Sequence, residues 1–213
     1  MTVALPKSLP PQQTQRVVLR NISWQTYQAL LVELGNHRSA RLAYDCGLLE
    51  ISMPSDLHEI IKHLLERIIV ALTEELGLKI RGVGSVTLDR EDLQKGVEPD
   101  SGFYIQNATR IRGQRLDLYT GPPPDLVIEV DITSSSKRRL AIYKQLGVPE
   151  VWRCTQRRLQ IYQLQGEEYV VCDYSPTFPQ VSGRILKQFV DRVEQTDDDN
   201  AIVRQLREWI RAQ

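Results

Sequence analysis

Residues 122–139 read PPPDLVIEVDITSSSKRR. Three prolines and an aspartate lead into an aliphatic run that carries two carboxylates, Glu129 and Asp131, and the run ends in serines and three positive charges. In a β-strand, alternate residues share a face. Asp125, Val127, Glu129 and Asp131 therefore point one way, and Leu126, Ile128, Val130 and Ile132 point the other. The second face is wholly aliphatic, as expected of a strand packed on helices in a core. The first must meet water, a cationic partner or a metal ion, because an unpaired ionised carboxylate is very costly to desolvate.

The pattern extends outward from this strand in both directions. SWQTYQALLVELG offers Ser23 as an N-cap, helical spacing through Leu34 and Gly35 as a stop. RLAYDCGLLEISM reads as a β-hairpin turning at DCG. LHEIIKHLLERIIVALTEELG is the clearest helix, with Ile60, Ile61, Leu64, Leu65, Ile68, Ile69 and Leu72 at the i, i+3, i+4 rhythm. LKIRGVGSVTLD and VEPDSGFYIQ then read as one strand each. Beyond the quoted stretch, SSS is available to cap a short helix, KRRLAIYKQLG, which ends at Gly147 and Pro149. EVWRCT, RLQIYQLQ and EYVVCDY read as strands, and DNAIVRQLREWIRAQ as an amphipathic helix. This order predicts an α/β domain built on one central mixed sheet, with an N-terminal hairpin. Residues 1–16, rich in Pro, Gln and Thr, are expected to form a loose tail, leaving residues 17–213 as a single domain.

Composition narrows the function classes. Lys plus Arg and Asp plus Glu number 27 each, so no net field draws the 213-residue chain to nucleic acid or anionic membrane. Three scattered cysteines, Cys46, Cys154 and Cys172, argue against a disulfide framework or a structural zinc and read as reduced core or near-core thiols. No stretch approaches the ~18 apolar residues of a membrane helix, and the opening residues do not read as an export signal, so the cytoplasm is the expected location. His58 and His63 are five residues apart, about 140° around a helix, which does not suit a helical zinc pair. His37 is a lone loop histidine. Neither G-x-x-x-x-G-K-[ST] nor G-x-S-x-G is present.

What remains is the carboxylate set. Asp100 follows Pro99 at the mouth of a second strand, and Glu59 lies in the first turn of the strong helix, off its apolar stripe. Mg²⁺ takes oxygen ligands at ~2.0–2.1 Å and keeps several waters, so one or two carboxylates and a water-bridged third suffice. Asp125 and Glu129 are about 13 Å apart along one strand and cannot share an ion, whereas Glu129 and Asp131 are separated by about 7 Å of rise. Asp100 is therefore the expected metal carboxylate, and Asp125 a turn residue at the start of the strand. Basic clusters at 109–115 (TRIRGQR), 137–139 (KRR) and 156–158 (QRR) could hold phosphates locally on a neutral protein.

EPD around Asp100, PPDLVIEVDITSSS around Glu129, YKQLGVPEVWRC from Tyr143 and the hairpin-to-helix stretch RLAYDCGLLEISMPSDLHE together resemble the Uma-type restriction-endonuclease group, abundant in cyanobacteria, within the PD-(D/E)XK nuclease superfamily. The resemblance spans roughly Trp24 to Val171. It implies a restriction-endonuclease-like central sheet flanked by helices, a Mg²⁺ site that Mn²⁺ could also fill, hydrolysis of DNA phosphodiesters, and a homodimer. Carried over by position, the aspartate of the PD element is Asp100, the strand glutamate is Glu129, and the helix acid is Glu59. Where E-x-K would place lysine, this chain has Asp131. Many Uma-type sequences instead carry a lysine one helical turn before the tyrosine of Y…GVPE; here that residue is Arg139, with Lys137 two positions earlier. Arginine cannot titrate usefully. Arg139 would then stabilise phosphate charge, Lys137 could keep an acid/base role, and Asp131 could assist a metal or form a salt bridge. The missing lysine also leaves open a catalytically inactive nuclease-like domain that binds nucleic acid or a partner protein.

Overall fold

The computed structural model describes residues 15–35, 40–111, 116–132 and 137–213. Strand β1 (Gln15–Leu19) is followed by helix α1 (Trp24–Leu34), capped by the Ser23 hydroxyl, which accepts from the Thr26 N–H. Strands β2 (Arg41–Asp45) and β3 (Leu48–Met53) form the hairpin. Both turn residues, Cys46 (φ 46°) and Gly47 (φ 91°), are left-handed, as a two-residue I′ turn requires. Cys46 is consequently exposed at the hairpin tip and not near the core, whereas Cys154 is buried and Cys172 is half-buried. Helix α2 (Asp56–Glu75), capped by Ser55, buries Ile61, Leu64, Leu65, Ile68, Ile69 and Leu72, with Ile60 left exposed. Then come β4 (Arg81–Gly84), β5 (Leu88–Arg90), β6 (Lys95–Val97), β7 (Ser101–Tyr104), β8 (Leu126–Asp131), α3 (Lys137–Gln145), β9 (Glu150–Thr155), β10 (Leu159–Gln165), β11 (Glu168–Cys172), α4 (Gly183–Val190) and α5 (Asp199–Arg211). Among the described residues no helix is long and apolar enough to cross a membrane.

The central mixed sheet runs β11-β10-β9-β8-β7-β4, with β8 and β9 parallel and joined through α3. Leu126, Ile128 and Val130 of β8 enter the main core with α2, α4 and α5, while Val127 on the other face packs with Ile142 and Tyr143 of α3. Every residue of β8 is buried, which accounts for its near-continuous aliphatic character.

The hairpin does not stand alone. It belongs to a second, antiparallel sheet, β1-β3-β2-β6-β5. Each stretch that reads as one long strand is therefore divided between two sheets. LKIRGVGSVTLD supplies β4 to the central sheet and β5 to the second, with Gly84 in a left-handed conformation (φ 60°) at the break. VEPDSGFYIQ supplies the end of β6 and all of β7, and the chain crosses between sheets at Glu98-Pro99-Asp100, where Pro99 has no N–H to continue a ladder. Gln15 and Arg16, expected in the tail, pair with Met53 and Ser52 as the start of β1; residues 1–14 lie outside the described residues.

The second sheet has two unlike faces. Leu42, Tyr44 and Leu49 pack with Trp24 and Tyr27 of α1, while Glu50 and Ser52 face the central sheet and α3 through their contacts with Arg139. The α1 side is closed by a close approach: a Cβ on Gly96 would lie 2.2 Å from the Tyr27 hydroxyl. Tyr27 is itself fully buried and stacked on Tyr44 at 5.0 Å. Gly96→Ala should therefore overpack this core at a cost of about 1–3 kcal/mol, lowering the melting temperature by roughly 3–10 °C for a domain of this size. An unchanged melting curve would show that Tyr27 is not wedged on Gly96.

Candidate active site

The sheet crossover and α3 build the site. β7 pairs antiparallel with β8, Ser101 opposite Ile128, so continuing the register by one residue sets Asp100 opposite Glu129 on the same face. Because β7 begins only after the crossover, the Asp100 side chain takes over from its backbone, and Asp100 Oδ2 accepts the Val130 N–H at 2.8 Å. The same oxygen lies 2.8 Å from His58 Nε2, in the first turn of α2. From the other side, α3 lowers Arg139 onto the strand. Its Nη1 donates to Glu129 Oε2 at 3.1 Å, its Nη2 donates to Ser52 Oγ at 2.6 Å, and its Nε lies 3.6 Å from Glu50 Oε1. Tyr143, one helical turn further, donates its hydroxyl to Glu129 Oε1. Glu50 is paired in turn with Arg16 of β1. Exposure is only 2 % at Asp100, 1 % at Glu129 and 5 % at Arg139.

Burial governs the charge states. Desolvation pushes Glu129 up to about 8 against the pull of Arg139, with Asp100 and Asp131 adding to the rise. Asp100 is raised by burial too, against His58 and Arg139. His58 is lowered by burial in spite of Asp100 and Glu59, which favours its neutral form, and its Nε2 shares a hydrogen bond with Asp100. Burial disfavours the Arg139 charge, yet Glu129 and Asp100 more than offset this and hold it charged. Burial also keeps the Tyr143 phenol protonated. Burial thus favours the protonated form of both carboxylates in the absence of a cation between them.

The sequence-derived residues are distributed unevenly. Asp100 and Glu129 come together, and Arg139 joins them. Asp131 shares the face of Glu129, but Arg153 of β9 holds it, with Nε and Nη2 each 2.6 Å from Oδ2. Glu59 does not join the strand carboxylates: its side chain is 44 % exposed and pairs with Lys62 at 2.6 Å, 3.5 Å from His58 Nδ1. Lys137 is exposed at the start of α3, two residues or about 200° around the helix from the inward Arg139. Asp125 is a turn residue, accepting the N–H groups of Ile105 and Asn107 at 2.7 and 2.9 Å. The serines expected to cap α3, His37 and most of the basic cluster at 109–115 fall outside the described residues. Five site residues escaped sequence reasoning: Glu50, Ser52, His58, Tyr143 and Arg153. Glu50 and Ser52 had a signal, since they alternate with Leu49 and Ile51 on a hairpin strand.

The donor set suits one hard cation held by two carboxylates. Each oxygen of Glu129 accepts a single donor among Arg139 and Tyr143 and has acceptor capacity left. Oxygen ligands on two adjacent carboxylates are what Mg²⁺ uses, with water completing its shell. Among the described residues no three His, Cys, Asp or Glu side chains are grouped as they would be around one metal ion. The fit therefore concerns Asp100 and Glu129, not the fourfold set with Glu59 and Asp131.

A mixed sheet presenting paired acidic residues beneath a basic helix, with helices on both sides, is a restriction-endonuclease-like α/β architecture. Residues 24–211 match the Uma2 family, described as "Putative restriction endonuclease", and the chain belongs to that family. The fold is similar to the crystal structure of "a putative nuclease belonging to DUF820" from Anabaena variabilis, with a TM-score of 0.55 and 17 % identity, covering 75 % of this chain and 96 % of the other. A comparison with curated proteins returns no match.

Proposed function

We propose that the protein is a Mg²⁺-dependent endonuclease that hydrolyses DNA phosphodiester bonds, with Mn²⁺ able to substitute. The observation that carries this reading is the juxtaposition of buried Asp100 and Glu129 on adjacent strands. These two carboxylates would hold the ion. A divalent ion bound there supplies an activated water and neutralises charge on the phosphate in the transition state. The remaining work falls to the chain. His58 and the Val130 N–H fix Asp100, and Tyr143 orients Glu129. Arg139 takes no proton, since a guanidinium stays charged; it stabilises negative charge on the phosphate as the water adds. Lys137, exposed at the start of α3, is given no acid/base role in the reading, and Asp131 assists only by placing Arg153. Glu50 replaces Glu59 as the third acid bordering the site. The reading includes a cytoplasmic homodimer.

A second reading has its own observation: both oxygens of Glu129 are already engaged by side chains of the same helix. A nuclease-like domain without catalysis, binding nucleic acid or a partner protein, would have this arrangement. Cleavage of a single-stranded oligonucleotide, and nicking of supercoiled plasmid, whose underwinding exposes unpaired stretches, with Mg²⁺ or Mn²⁺ against a chelator control, separate the two. The nuclease reading predicts cation-dependent nicking; DNA binding in chelator without nicking in either cation would favour the second.

A further inference from the structure

Between the hairpin turn and α3 lies a cavity of about 460 Å³. Its rim carries Arg20 and Arg138, its floor is Arg139, and its acidic lining is Asp45 and Glu50. Each acid is already paired, Asp45 with Lys95 and Glu50 with Arg16 and Arg139. Arg20 and Arg138 are exposed, and no carboxylate of the described residues pairs with either. Arg139 is 5 % exposed, and its Nε makes no hydrogen bond. On a chain with no net charge, this cavity is a local concentration of positive charge, including a buried donor that lacks an acceptor. Tetrahedral oxyanions satisfy such groups.

The lining also indicates which part of a nucleic acid would enter. No aromatic residue lines the cavity, so it offers no platform for base stacking. What it offers is guanidinium groups, which recognise phosphate. The carboxylates proposed to act on the phosphodiester lie behind Arg139, at 1–2 % exposure. A duplex is a stiff rod that presents its phosphates on a convex surface, with a major groove about 12 Å wide. It cannot feed one phosphodiester to the bottom of a cavity of this size. An unpaired strand can bend into it.

We propose that this cavity binds the sugar-phosphate backbone of an unpaired nucleic-acid strand, with Arg20 and Arg138 engaging phosphates at the rim and Arg139 receiving one at the floor. The proposal rests on the nuclease reading of the adjoining site and names the form of its substrate. Arg20 comes from the segment after β1, so the hairpin sheet and the central sheet both contribute to substrate contact. Recognition is of backbone and independent of sequence.

The test is fluorescence anisotropy of the full chain in EDTA, with a labelled single-stranded DNA oligonucleotide and the same sequence as a duplex. The single strand should bind at least tenfold more tightly. Arg20→Gln/Arg138→Gln should weaken single-strand binding at least tenfold and flatten the slope of log affinity against log salt by about 1.4, at ~0.7 per lost phosphate contact. Arg184→Gln/Arg204→Gln, on the exposed faces of α4 and α5, should stay within twofold of the parent. Equal affinity for duplex and single strand, an unaltered salt slope in the Arg20/Arg138 variant, or no binding by the parent protein overturns the proposal. Binding with the expected properties but no cation-dependent cleavage would leave this cavity assigned and remove the nuclease reading instead.

Discussion

Glu129→Gln is expected to reduce cation-dependent DNA cleavage by roughly 10³-fold or more, because each tenfold costs about 1.4 kcal/mol and metal-assisted charge stabilisation supplies several. Glutamine is the informative replacement. Alanine would leave Arg139 and the Tyr143 hydroxyl without their acceptor in a fully buried setting, so lost activity could reflect lost packing. The amide keeps an oxygen for one of the two donors and removes the charge that a hard cation needs. Measured as single-turnover nicking per folded molecule, undiminished cutting by this variant would refute the assignment of Glu129.

The second large effect falls on stability. Arg139→Met should destabilise the fold by about 3–5 kcal/mol, because removing the cation from a buried cluster leaves its acidic partners desolvated without compensation, whether they stay charged or take up a proton. Here two partners are affected, Glu129 and Glu50, although Arg16 still serves Glu50. Glu129, already raised to about 8 by burial, would respond by holding its proton over a wider pH range. The combined Arg139→Met/Glu129→Gln variant should regain a large part of the loss, since neither group is then a buried unpaired charge, and it should remain inactive. Denaturant unfolding of the two singles and the double gives the coupling directly. Additive losses would mean that the Arg139–Glu129 contact carries no net interaction.

Helices α1, α2 and α5 were legible from their apolar period, with Ser23 capping α1 where that start was expected; β8 was legible from its aliphatic face and α3 from the Gly147 and Pro149 that follow it. The alternation of β8 put Glu129 on the face opposite the aliphatic one, and the resemblance to the PD element put Asp100 beside it. Partner choice between strands was not legible. Nothing in VEPDSGFYIQ states that Val97 and Ser101 belong to different sheets, since the division depends on which distant strands are available to pair. β1, exposed over most of its length, shows no alternation that one buried face would impose. The third acid was misplaced for a related reason. His58 and Glu59 are neighbours about 100° apart on α2, and the packing of that helix turned His58, not Glu59, toward Asp100. Glu50 approached the site only because the hairpin joined a sheet facing α3, a tertiary event with no local signature. Arg139 was expected in the lysine's position from the resemblance alone, and its burial among Glu50, Ser52 and Glu129 depends on that same second sheet.

The central claim is that Asp100 and Glu129 act together on one hard cation. The most direct measurement is anomalous diffraction from crystals of the full chain soaked in Mn²⁺. The account predicts a single manganese peak between the Asp100 and Glu129 carboxylates, absent from crystals of Glu129→Gln treated identically. A well-diffracting soaked crystal with no peak at these residues, and with Arg139 still seated on Glu129, would contradict it.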